Sequence, residues 1–172
     1  MSLTLIPAFE NKKEIGELFA EYTRMLVELD PDFQKSLDQQ NYDEELDHLE
    51  EKYGLPGGRL YLALWEGEPA GCVGMKQLDA HTGELKRLYV RPAYRGHHLG
   101  RLMVERIIED ARSLGYRRLM LDTMPVLESA LHLYESMGFR VTERYNDSPL
   151  DTTIFMEYKL SFNMCPIDSK RK

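Results

Sequence analysis

The stretch RPAYRGHHLGRLM at residues 91–103 combines guanidinium groups with small residues where a helix is about to begin. Arg95 stands just ahead of Gly96, Gly100 follows four residues later, and Arg91 and Arg101 flank the pair. The first backbone N–H groups of a helix have no internal acceptors, and the aligned peptide dipoles add partial positive charge. Phosphates dock at such termini. Gly96 and Gly100 would let an anion approach the main chain, and the arginines would add charge-assisted hydrogen bonds. A Walker loop requires Lys-Ser or Lys-Thr after its last glycine, and Arg101-Leu102 stand there. A dinucleotide fingerprint requires a third glycine and an early β-α-β position, and both are missing. The pattern R/Q-x-x-G-x-G/A fits Arg95 and Gly100, with His98 in the place of the middle glycine. On spacing alone, an Arg-Gly loop capping an ordinary helix fits the same residues equally well.

The flanking periodicity says what positions this loop. Residues 2–7 read as a short strand, and Ile15, Leu18, Phe19, Tyr22, Met25, Leu26 and Leu29 recur at helical steps. Asp30-Pro31 ends that helix. A second helix is expected with Tyr42, Leu46, Leu49 and Tyr53 on one face, capped by Asn41 with Glu44 three residues on, and strongly acidic on its other face. After the loop at 54–59 the period changes to two. Strands are expected over 59–66, 70–78 and 83–90, the last closed by Arg91-Pro92. The helix after the quoted stretch carries Leu99, Leu102, Met103, Ile107, Ala111 and Leu114, and Gly115 stops it. A strand over 117–123, a helix over 125–137 opened by Pro125 and closed by Gly138, and strands over 139–145 and 152–160 complete the order β-α-α-β-β-β-α-β-α-β-β. One domain over residues 1–160 is expected, with a polar, mobile tail over 161–172.

Composition narrows the chemistry. Against 29 acidic residues stand 22 Lys and Arg, a formal net charge of −7 over 172 residues. That balance disfavours nucleic acid and anionic membranes as partners. Cys72 and Cys165 are too few for a disulfide framework. Neither a signal peptide nor a membrane-spanning run is visible, so a cytoplasmic protein is the expectation. His81, His97, His98 and His132 form no metal-ligand motif, and no metal is expected.

Taken together, ELKRLYVRPAYRGHHLGRLMVERIIEDARSLGYRRLMLDT and ALHLYESMGF resemble the GNAT superfamily of acetyl-coenzyme-A-dependent N-acetyltransferases, strongly over residues 59–160. The resemblance implies an α/β fold whose mixed, mostly antiparallel sheet is flanked by helices and splayed between its fourth and fifth strands. It implies acetyl-coenzyme A as cosubstrate, its pyrophosphate on Arg95, Gly96, His97, His98, Leu99, Gly100 and Arg101. Its pantetheine would pair like an extra strand with the backbone of Leu88, Tyr89 and Val90. The asparagine that relatives often carry before the following helix is Leu127 here, so Thr123 or Ser129, beside Ala130, would supply that cofactor contact.

Acetyl transfer from a thioester to an amine requires a neutral amine, a polarised carbonyl, a donor for the developing oxyanion and a proton for the leaving thiolate. General acid or base assistance contributes ~10²–10⁴-fold, an oxyanion donor ~10²–10³-fold. By the resemblance, Tyr134 is the acid, and the backbone N–H of Tyr89 or Val90 is the oxyanion donor. On spacing alone, Tyr134 shares a helical stripe with Leu127, Ala130 and Leu131 and would be core. Glu84 is the candidate base, directly or through water; it could equally bind the amine or pair with Lys86 or Arg87. Arg87 alternates with Leu85 and Tyr89 and is expected on the strand face opposite Glu84, as an acceptor-binding residue or a surface ion pair. Tyr145 would line the acceptor pocket or simply end a strand. The acidic second helix is a solvated face, or a lure for a polyamine or aminoglycoside-like cation if it borders the cleft. No cysteine holds a nucleophile position, which favours direct attack in a ternary complex. The acceptor expected is a small-molecule amine; a protein lysine or N-terminal amine, and a non-catalytic coenzyme A sensor, are the alternatives. A homodimer is compatible with any of them.

Overall fold

In the computed structural model, residues 2–39 and 41–161 are described. The expected tail from 162 onward, with Cys165, lies outside them. Strands β1 (Leu3–Pro7), β2 (Arg59–Trp65), β3 (Glu68–Asp79), β4 (Thr82–Val90), β5 (Arg118–Thr123), β6 (Arg140–Val141) and β7 (Ile154–Lys159) form one sheet in the order β1-β2-β3-β4-β5-β7-β6. Every neighbouring pair is antiparallel except β4 and β5.

The α-helices among the described residues are α1 (Lys12–Leu29), α2 (Phe33–Gln39), α3 (Tyr42–Glu45), α4 (Leu49–Tyr53), α5 (Leu99–Ser113) and α6 (Glu128–Met137). The helix α5 buries Leu99, Met103, Val104, Ile107 and Ala111. Each such aliphatic burial is worth roughly 1.5–3 kcal/mol, which fixes the helix on the sheet. That core includes Val73, Leu85, Leu119, Leu121, Tyr134 and Met156. A second core on the other face joins Ile15, Leu18 and Phe19 of α1 to Leu49, Tyr53, Leu60, Leu62 and Cys72.

Several expected boundaries shift. Asp30 does end α1, in extended conformation. The single second helix is instead two short ones, α3 and α4, and a helix that was not expected, α2, precedes them. Asn41 is not a side-chain cap: it sits at φ 49° with no cap hydrogen bond, so it turns the chain between α2 and α3. Pro125 belongs to the turn ahead of α6, which starts three residues later at Glu128. The strand expected over 139–145 shortens to Arg140–Val141, because residues 142–153 leave the sheet edge and fold over the cleft beside β4 and β5. Gly115 and Gly138 do take positive φ, 79° and 108°, at the ends of α5 and α6.

Candidate active site

The sheet opens where β4 and β5 meet. Their pairing runs only over Thr82–Arg118, Gly83–Leu119 and Glu84–Met120. Beyond Glu84 the strands part. Arg91 donates its N–H to Ala70 O across the other edge of β4 (2.8 Å). Alternation along the strand therefore turns the main-chain groups of Leu88 and Val90 toward the gap.

A bulge shapes this edge. Cys72 opposes Tyr89 and Gly74 opposes Lys86, so Arg87 and Leu88 together face Val73. Arg87 takes φ 58° there, a left-handed conformation that costs an L residue about 1–2 kcal/mol. The bulge overturns the expected alternation. Arg87 lies on the α1 side, the same side as Glu84, with its guanidinium 5.8 Å from the Phe19 ring. It is neither an exposed pair nor aimed into the acceptor cavity. Its Nε donates to Glu45 Oε2 of α3 (2.9 Å), and both side chains are buried. A signal for the bulge existed in the sequence. Leu85, Leu88 and Val90 all pack on the same core, and their three-residue step breaks the period of two.

Inside the gap lies a slot of about 50 Å³, lined by Leu88, Thr123, Met124, Leu127 and Tyr134. Tyr134 is buried, and among the described residues its hydroxyl makes no hydrogen bond; its ring packs on Phe139 at 5.7 Å. Burial, with Tyr22 and Asp122 nearby, pushes the phenol well above its ordinary range. Thr123 Oγ1 is the buried side-chain polar atom without a partner among the described residues. Such an orphan costs about 1–3 kcal/mol unless a ligand satisfies it.

At the mouth of the slot a larger cavity of about 480 Å³ opens, and Lys86, Asp122, Ser36 and Ser148 border both. Its wall carries Glu84, which accepts a hydrogen bond from the Tyr145 hydroxyl (2.7 Å) and pairs with Lys86 Nζ at 3.4 Å. Glu84 is thus ion-paired, as a structural role expects, and it also faces the cavity. Tyr145 is set edge-on against Phe155. Burial and the Glu84 charge raise its phenol far above the ordinary range, so it stays a donor. Asn146 donates to Asp122 Oδ2 (2.8 Å). Lys76, Lys86, Asp122 and Asn146 escape sequence reasoning because they come from four separate segments with no local motif.

The quoted loop enters α5 with Gly96 at φ 85° and no neighbour within 4 Å of a Cβ there. His98 adopts φ 61°, ψ 19° immediately before Leu99. The position thus requires left-handed backbone, which a glycine adopts freely and histidine tolerates better than most. No side chain caps α5, leaving the first N–H groups of the helix open. Arg95 Nε donates to Val90 O (3.1 Å), and the His97 ring stacks on Trp65 at 4.8 Å. Arg101 is engaged with Glu105 (3.1 Å). Arg91 is committed to Glu21 (2.8 Å), which removes it from the anion set. Ser129 is exposed and Ala130 half-buried in the first turn of α6. A backbone edge, an orphan hydroxyl and an uncapped helix start in one gap fit a long phosphorylated cosubstrate.

Residues 22–139 match the model of the acetyltransferase (GNAT) family. The chain belongs to that family. An uncharacterised N-acetyltransferase of Schizosaccharomyces pombe is 38% identical over 143 residues, covering 82% of this chain and 88% of that protein. The crystal structure of a GNAT acetyltransferase from Staphylococcus aureus superimposes with a TM-score of 0.74 at 23% identity, over 93% of this chain and 100% of that one. The PaiA N-acetyltransferase of Thermoplasma acidophilum, solved in complex with coenzyme A, gives a TM-score of 0.74 at 17% identity, over 92% and 99% of the two chains. These two share the fold. The N-acetyltransferase described here keeps the mixed α/β sheet of that family, splayed between β4 and β5. No helix among its described residues is long and apolar enough to cross a membrane.

Proposed function

We propose that this acetyltransferase moves the acetyl group of acetyl-coenzyme A onto the primary amine of a small molecule, by direct attack in a ternary complex. The observation that carries the reading is the meeting of two spaces at Asp122 and Lys86: a narrow slot lined by Tyr134 and Thr123, whose hydroxyls make no hydrogen bond among the described residues, and a cavity large enough for a small acceptor. The reading takes residues 1–160 as one catalytic domain.

The pyrophosphate of acetyl-coenzyme A would rest on the backbone of residues 95–101, and its pantetheine along Leu88–Val90. Thr123 would satisfy its hydroxyl on the same ligand, in place of the asparagine that Leu127 replaces. The acetyl thioester supplies the acyl group. The amine nitrogen bonds to the acetyl carbon, the carbon–sulfur bond breaks, and the amine gives up a proton. Glu84, held by Tyr145, receives that proton through water. The backbone N–H of Val90 donates to the developing oxyanion; that of Tyr89, one residue along the alternation, faces β3.

Tyr134 donates to the departing thiolate. An ordinary thiol has a pKa of about 8.5 and an ordinary phenol about 10. Burial raises the phenol further, so its proton stays on oxygen, and its contribution is a strong hydrogen bond to sulfur.

Cys72 supports the absence of an acyl-enzyme. It is fully buried, its thiol is pushed up to about 12 by burial, it donates to Arg87 O (3.3 Å), and it lines neither the slot nor the cavity. The test is twofold. Acetyl-coenzyme A should raise the melting temperature, since a ligand binding only the native state at a hundredfold excess over Kd adds ~2.7 kcal/mol. An amine panel should then give acceptor-dependent thiol release and a mass increase of one acetyl group. Protection without release from any amine would reduce the protein to a coenzyme A sensor. Release with peptides alone would move the acceptor to proteins.

A further inference from the structure

We propose that the acceptor is an aminocarboxylate, whose carboxylate is held by Lys76 and Arg118 while its amine points to Asp122 at the mouth of the slot. This rests on the acetyl-transfer reading above and adds the class of acceptor.

The cavity wall is built from three adjacent strands, and their register orders its charges. Lys76 of β3 opposes Glu84 of β4, which opposes Met120 of β5. Arg118 lies two residues before Met120 and Asp122 two residues after it. Strands are ~4.8 Å apart and rise ~3.3 Å per residue, so the Cα atoms of Lys76 and Asp122 are about 12 Å apart. Lys76 and Arg118 lie toward one end of the cavity, with Asp79 beside them, and Asp122 lies with the Glu84-paired Lys86 at the other, where it meets the slot.

The pairing of these groups says which are open to a ligand. Lys86 is taken by Glu84, and Glu84 also by Tyr145. Asp79 accepts the His81 N–H at 2.8 Å. Arg118 reaches Thr82 Oγ1 and Glu157 only at 3.3 and 3.5 Å. Lys76, half-buried on the wall, makes no hydrogen bond or ion pair among the described residues. An ammonium group held partly out of water and engaged in no ion pair among the described residues favours an anion brought by the ligand. A polyamine lacks this match. The acidic residues Glu44 and Glu51 border Lys76 only from a separate, neighbouring pocket and do not line this cavity, and Glu45 there is engaged by Arg87 and Lys52.

The test pairs acceptors of equal chain length: δ-aminovalerate, pentylamine and cadaverine, with glycine and β-alanine extending the acid series. With acetyl-coenzyme A saturating, thiol release should favour an aminocarboxylate over its alkylamine and diamine by about tenfold or more in kcat/KM. Lys76→Met should raise KM for the acid and collapse the difference. Calorimetry with coenzyme A bound should show the aminocarboxylate binding to the wild-type protein and not to Lys76→Met. Equal or better turnover of the diamine or alkylamine, or no heat from any aminocarboxylate, overturns the proposal. Binding of the acid that Lys76→Met abolishes, with no release from any acceptor, supports this site and overturns acetyl transfer instead.

Discussion

The Arg87 guanidinium lies 2.9 Å from the Glu45 carboxylate, and this buried pair ties the short helix α3 to the bulge of β4. The bulge sets which backbone groups face the gap, so a residue far from the slot in sequence shapes the cosubstrate edge. Burial alone would raise the Glu45 carboxyl; the Arg87 charge and hydrogen bonds, with help from Lys52, outweigh it and hold the group at about 2. An unfolded glutamate titrates near ~4.3. The pair's contribution is therefore complete above about pH 4.3 and is lost as pH falls toward 2. Glu45→Ala should cost about 1.5–3 kcal/mol, because the charge-assisted hydrogen bonds to the buried Arg87 are lost. Glu45→Gln should remove the acid-sensitive component. Urea unfolding at about pH 6 and about pH 3 checks both; equal losses on acidification in wild type and Glu45→Gln would dissociate the pair from stability.

This pair also marks where the sequence stops speaking. Helix α5 is legible because Met103, Ile107 and Ala111 repeat a period that burial enforces, and strand β2 because its apolar run is buried on both faces, Leu60 and Leu62 in one core and Tyr61 and Ala63 in the other. The stop at Gly138 is legible because its φ of 108° suits glycine. The loop at 95–101 is legible as a motif, and Tyr134 through the family segment around it. The division of the acidic segment into α3 and α4 is not, since Glu45 is drawn inward by Arg87, a partner 42 residues away. For the same reason Arg87 reads as a surface or acceptor-facing residue until the bulge is seen. Lys76 and Asp122 enter the candidate site only once strand register sets them beside Glu84 and Met120.

At His98 the αL backbone costs an L residue about 1–2 kcal/mol, partly offset in a glycine variant by the ~0.5–1 kcal/mol entropic cost of glycine. His98→Gly should leave stability unchanged or slightly raised, and should keep the acetyl-coenzyme A thermal shift. His98→Val, β-branched at φ 61°, should destabilise clearly more. Melting curves of the two variants with and without acetyl-coenzyme A decide it. A lost shift in His98→Gly would give the imidazole a direct ligand role.

Thr123→Val separates folding from binding. The hydroxyl is buried and unpartnered, so its isosteric replacement should stabilise the protein without ligand by about 1 kcal/mol. If the same hydroxyl bonds the cosubstrate, the variant should bind acetyl-coenzyme A several-fold more weakly. Thermal melts and calorimetry thus move in opposite directions. Weaker binding with no gain in stability would mean that the hydroxyl is already satisfied before the ligand arrives.

The Tyr145–Glu84 hydrogen bond at 2.7 Å joins a neutral donor to a carboxylate, a class of bond worth about 1.5–3 kcal/mol. Tyr145→Phe keeps the edge-on contact with Phe155 and frees Glu84 to swing toward Lys86. Turnover of an amine acceptor should fall about tenfold or more, matching that free energy. Glu84→Gln should lose most of its rate near neutral pH and recover part of it as rising pH supplies neutral amine. Normal kinetics in Tyr145→Phe would leave Glu84 held well enough by Lys86 alone.

Tyr134→Phe tests the leaving-group donor. The phenol lines the slot, packs on Phe139, and makes no hydrogen bond among the described residues. Phenylalanine keeps the ring and its packing, so the melting temperature should change little. The hydroxyl matters only when sulfur acquires negative charge, so its removal should lower kcat by ~10²-fold or more with KM for acetyl-coenzyme A nearly unchanged. Burial holds the phenol far above neutrality, so the pH–rate profile of the wild-type enzyme should show no limb from this group. Both profiles should then keep the same shape and differ only in height. A pure packing role requires near-normal turnover in Tyr134→Phe, and steady-state rates read beside melts of the same two proteins tell these apart. Normal turnover would pass stabilisation of the thiolate to solvent and leave Tyr134 as part of the core with Phe139.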